Sequence, residues 1–218
     1  AACFMFLSAG DMQAQDPKYS AMLEDLVDGK YERVLFRAIK FTEQEKTKKH
    51  PEPYAYMAQA YLKIHQSDDP ALKEDYPKAL KESLKYCTKF IKKDKELEYV
   101  PDLLDFIEDL RAETIAAADT EMDAEKYTRA KSLYAYISKL DPTDPSAYVM
   151  LGLANYYARA TRDAEENWST ATQLMGSMTG RISASEETEL YRDEPLTESM
   201  DALLKTGLIR VAEQLDAD

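Results

Sequence analysis

Residues 145–178 read PSAYVMLGLANYYARATRDAEENWSTATQLMGSM. Tyr148, Leu151 and Gly152 lie one helical turn apart, and so do Ala164, Trp168 and Ala171. This is the pattern of two helices packed face to face. The small residues Gly152 and Ala164 let the backbones approach, and the large ones fill the space around them. Stepping back 34 residues, to a unit that starts at Arg111, repeats the pattern. Ala117 and Ala118 stand where Leu151 and Gly152 stand, Ala130 and Tyr134 match Ala164 and Trp168, and Ile137 matches Ala171. Leu140-Asp141-Pro142 then closes the unit, because proline cannot continue a helix.

Two looser units precede these. In a unit starting at Pro51, Tyr54, Met57, Ala58 and Tyr61 form the first helix and Ala79 opens the second, with an insertion over residues 66–74. Ser67-Asp68-Asp69-Pro70 inside it is a turn signal. In a unit starting at Gln15, Gly29-Lys30-Tyr31 marks the turn, and Val34, Ala38 and Phe41 form the second helix. Residues 94–110 are surplus to this frame. The apolar spacing after Pro101 predicts a long helix starting there.

The pattern resembles the tetratricopeptide (TPR) repeat, over about residues 15–178 and most specifically in 111–178. The resemblance implies an all-α fold: a right-handed solenoid of antiparallel helix pairs, with repeats at about 15–50, 51–93, 111–144 and 145–178. Residues 179–218 then supply a linker and a C-terminal capping helix. Leu196, Met200, Leu203, Leu204, Leu208, Val211 and Leu215 form its expected apolar stripe, which Gly207 weakens. The glycines at 176 and 180 predict a loop over Met175–Ser185. Trp168 and Cys87 are expected in the core.

Residues 1–10, AACFMFLSAG, form an apolar run too short to span a bilayer. Residues 1–15 read as the remnant of a secretory signal peptide with cleavage near Ala14 or Gln15, which predicts a periplasmic or secreted protein. Ala1-Ala2-Cys3 could end a lipobox, but the apolar Phe4-Met5-Phe6-Leu7 argues against lipoprotein anchoring through Cys3. No insertion of the mature chain into a membrane is expected.

The 28 Lys+Arg against 41 Asp+Glu give a net charge of -13, which argues against nucleic acid as a partner. The charge is uneven. Residues 1–98 are neutral, and 76–95 carry seven Lys against Glu82 and Asp94. Residues 99–218 hold 11 basic and 24 acidic side chains. Opposed charge makes head-to-tail self-association a further expectation.

The chemical inventory predicts neither an enzyme nor a cofactor. His50 and His65 lack partners at metal-ligand spacing, and no phosphate loop, nucleophile elbow or calcium loop occurs. Glu165-Glu166 and Glu186-Glu187 are adjacent along the chain and point apart. What remains is binding. The resemblance implies that certain first-helix positions line a concave groove: Ala55, Gln59, Leu62 and Lys63; Ile115, Asp119, Met122 and Asp123; Val149, Leu153, Tyr156 and Tyr157. This predicts a non-catalytic scaffold that holds a peptide or protein segment, with Tyr156 and Tyr157 as aromatic anchors. The alternative is a structural subunit of an envelope, secretion or polymeric assembly, packed through its ends or convex face.

Overall fold

The computed structural model describes residues 18–183 and 198–215. Among the described residues every regular element is helical. The expected signal remnant 1–15 lies outside this range, as do Leu196 and the end of the expected loop. The chain forms two compact units, Ala1–Ile107 and Glu108–Asp218, divided within the surplus segment of the repeat frame.

In the first unit, α1 (Ser20–Val27) packs on α2 (Tyr31–Glu43), and α2 packs on α3 (Glu52–Gln66). Tyr19, Met22, Val34, Leu35, Ala38, Met57 and Ile64 share one buried cluster. The expected insertion forms a short helix, α4 (Pro70–Asp75), whose first turn is capped by Asp69 accepting from the Ala71 N–H at 2.9 Å. Helix α5 (Ala79–Lys93) lies along α3. The two approach closely at the small residues Ala58 and Ser83, both buried. There the Ser83 hydroxyl donates to the Ala58 carbonyl at 2.8 Å. The far side of α5 carries exposed Lys78, Lys81, Lys89 and Lys92, the solvated face expected of a basic run. Buried Asp94 ends α5 and accepts from the N–H groups of Glu98, Tyr99 and Val100 at 2.8–2.9 Å.

A 3-10 turn at Pro101–Leu103 leads into α6 (Leu104–Asp123), as the proline signal predicts. In the second unit, Leu110, Thr114, Ala118 and Met122 form the buried ridge of α6. Ala118 and Met122 share a cluster with Ala130, Tyr134 and Ile137 of α7 (Tyr127–Leu140). Helix α8 (Pro145–Tyr157) is buried except at Tyr148 and its last two residues. An apolar helix needs neighbours on all sides, and α7, α9 (Thr161–Ser183) and α10 (Glu198–Leu215) supply them.

The turns between paired helices share one geometry. At α1–α2, α6–α7 and α8–α9 the middle residue has positive φ: Gly29 at 73°, Glu125 at 57° and Arg159 at 61°. In each turn the next N–H reaches back six residues in count: Lys30 to Asp25, Lys126 to Glu121 and Ala160 to Asn155, at 2.8–2.9 Å. This is the left-handed helix stop that glycine adopts without strain. Glu125 and Arg159 stand 34 residues apart and are both exposed. Replacing either with glycine is therefore expected to stabilise the chain by about 0.5–1 kcal/mol. Urea unfolding checks this, and a loss of stability would refute the strain.

Three expectations are corrected. Residues 175–183 are helical, as part of α9, and do not form a loop. Met175 packs with Val149, Ala171 and Leu204, and an exposed glycine such as Gly176 costs a helix only about 1 kcal/mol. Trp168 is half-buried, because one side of its ring covers Gly152 while the other meets solvent. Leu208 is 45% exposed, and buried Gly207 takes its place in the α10 stripe.

Candidate interaction surface

The second unit brings together the first-helix residues of α6 and α8, and its own helix α10 covers them. Met200, Leu203, Leu204 and Gly207 form the buried row of α10, followed by half-buried Val211. Leu203 enters the cluster of Ala118, Met122, Leu153 and Ala154. Leu204 packs with Val149 and Ala171. At Gly207 the helices nearly touch. An added Cβ would stand 2.7 Å from Val149 Cγ1 and 2.9 Å from Met150 Sδ. The glycine thus buys close packing at the cost in helix propensity that its sequence position suggests.

Charge adds direction to this contact. Arg210, one turn beyond Gly207, reaches Asp119 Oδ1 at 3.5 Å and Asp123 Oδ1 at 3.9 Å. Asp119 also accepts from the Tyr134 hydroxyl at 2.7 Å. Burial, then that hydrogen bond, holds the Tyr134 hydroxyl well above the usual tyrosine range. At the other end of α10, Ser199 accepts from Arg111 Nη1 at 2.6 Å and donates to Glu108. Arg111 is 1% exposed, and its Nη2 pairs with fully buried Asp144 at 2.8 Å. Asp144 caps α8 through the Ser146 N–H at 2.9 Å. One buried ion pair therefore ties α6 to the start of α8, with Ser199 of α10 on its rim.

The expected groove residues fall into groups. Met122, Val149 and Leu153 are buried, so they are not solvent-facing. Ile115 is half-buried against the same cluster, and Asp119 and Asp123 face Arg210. Tyr157 stacks on Tyr127 with centroids 4.9 Å apart, and Tyr156 lies 6.0 Å from Trp168. The two rings meet edge to face at 6.0 Å. Both are half-buried: Tyr157 ties α8 to α7 and Tyr156 ties α8 to α9, and each offers an edge to solvent. Gln59 and Lys63 belong to the first unit. Gln59 is half-buried with its amide toward the Ala55 carbonyl, and Lys63 is exposed beside Gln66. Ala55 and Leu62 are buried. The residues that sequence reasoning missed are Arg111, Ser199 and Arg210. Arg210 carried a signal: it falls three after Gly207 and seven after Leu203, on the apolar side of α10.

Among the described residues, no group of three His, Cys, Asp or Glu is placed to hold a metal. Cys87 is fully buried, and burial pushes its thiol up to about 12, so it is no thiolate at neutral pH. No helix among the described residues is long and apolar enough to cross a membrane. No family model matches the chain, and no curated protein matches it.

Proposed function

We propose that this chain is a TPR-like, non-catalytic interaction scaffold that acts outside the cytoplasm and takes a helical peptide or protein segment on its α6/α8 face. The observation that carries the reading is the seat of α10. An amphipathic helix, with leucines inward, a glycine at the closest approach and an arginine toward two aspartates, already occupies this face. That is helix-in-groove recognition, made within one chain. The repeat reading is supported by the matching turns at Glu125 and Arg159. The apolar run at residues 4–7 supports export.

The test uses the full chain and a labelled synthetic peptide of residues 198–215. In the wild-type chain α10 holds the face and the peptide competes poorly. Arg210→Glu sets a like charge against Asp119 and Asp123 and loosens α10. The peptide is expected to bind that variant at least about tenfold more tightly than wild type, with a salt-sensitive on-rate. Equal, weak binding to both chains would refute a helix-receiving face.

A further inference from the structure

Seven large apolar side chains are exposed among the described residues, and five of them lie on α1, α2 and α10. Val27, Phe36 and Ile39, at 76%, 62% and 39% exposure, lie on α1 and α2. Leu208 and Ile209, at 45% and 59%, lie side by side on the outer face of α10, turned away from the row that α8 buries. A protein seldom leaves several large apolar groups together without a use for them.

The α2 and α10 surfaces differ in shape and charge. On α2, Phe36 and Phe41 line a recess of about 590 Å³ whose rim is Arg33, Arg37 and Lys40. Lys40 Nζ sits 4.0 Å over the Phe36 ring, and Arg33 and Arg37 share one buried carboxylate, Asp25. Three cations against one acid leave the recess positive. The α10 patch is a ridge on a helix, not a recess. Lys205 is held by Asp201 at 2.5 Å, which cancels its charge. Exposed Glu213 follows Ile209 by one turn. The ridge is therefore aliphatic with an acidic flank.

We infer that the Leu208–Ile209 ridge of one copy docks into the Phe36 recess of a second copy, a head-to-tail contact between copies of this chain. Aliphatic side chains fill an aromatic-lined recess, and Glu213 meets the Arg33, Arg37 and Lys40 rim. Each copy presents one ridge and one recess, so the contact is heterologous and can propagate beyond a dimer. The patches are small, which makes the association weak and salt-sensitive. The inference uses the outer face of α10. It stands apart from the ligand proposed for the α6/α8 face.

Sedimentation velocity over about a hundredfold range of protein concentration tests it. The wild-type mass is expected to rise with concentration and to fall back in high salt. Phe36→Glu and Ile209→Glu are each expected to remain monomeric, because each destroys one half of the contact. Mixed together, they should give a heterodimer that grows no further, since one intact recess and one intact ridge remain. Both sites are exposed, so melting should be unchanged. Should a charge lower it, Phe36→Ser and Ile209→Ser replace them in the same mixing experiment. A wild type that is monomeric throughout, variants that associate as wild type does, or a mixture that stays monomeric would each overturn the contact.

Discussion

Arg111→Met is expected to destabilise the second unit by about 3–5 kcal/mol, because it leaves Asp144 buried and unpaired. Arg111 and Asp144 are 1% and 0% exposed, so water cannot replace the lost partner. Methionine keeps most of the side-chain volume, and the cost is therefore electrostatic rather than a cavity. Asp144→Asn in the same chain removes the stranded charge and still caps α8. The double variant should recover part of the loss, a coupling that a cycle of urea unfolding curves reads directly. A loss under about 1 kcal/mol for Arg111→Met would mean that the guanidinium does not hold α6 to α8.

Gly152→Ala should show a change of sign with its background. In the wild-type chain an added Cβ would lie 2.3 Å from Trp168 Nε1, well inside contact distance. The indole must move and give up its hydrogen bond from Nε1 to the Val149 carbonyl at 3.2 Å. Overpacking of this kind costs about 1–3 kcal/mol. Trp168→Ala alone should cost about 3 kcal/mol, the low end for a large aromatic, since the ring is only half-buried. Once the indole is gone, Gly152→Ala should stabilise by up to about 1 kcal/mol through helix propensity. Thermal melts of the four chains check the pattern. A Gly152→Ala effect of the same sign in both backgrounds would mean that Trp168 does not rest on that glycine.

The helix pairs were legible in the sequence because their signals are local. Tyr134 with Ala130, Trp168 with Gly152, and the Leu140-Asp141-Pro142 stop all act within a few turns of the chain. The seat of α10 was only half legible. Leu203, Leu204 and Val211 fit a stripe, but both Gly207 and Leu208 fit its fourth place by spacing. Contact with Val149 and Met150, some 57 residues away, chooses the glycine. The Arg111–Asp144 pair is a contact across 33 residues that no local pattern announces. Among the candidate site residues, Asp119 and Asp123 are two acids one helical turn apart, a spacing that suits a cationic partner. Which cation meets them depends on the path of a helix almost 90 residues later. The loop expected at Met175–Ser185 failed because glycine disfavours a helix only weakly, and packing at Met175 outweighs it.

The central claim is that α10 occupies the α6/α8 face. Amide hydrogen exchange on the full chain, followed by mass spectrometry, tests it without any partner. Amides from Leu203 to Val211 should exchange about a thousandfold more slowly than an unstructured peptide, as α8 does, because both belong to one packed unit. Arg210→Glu should speed the α10 amides at least about tenfold and leave α3 unchanged. Exchange of the α10 amides at the unstructured rate, while α8 stays protected, would contradict the claim.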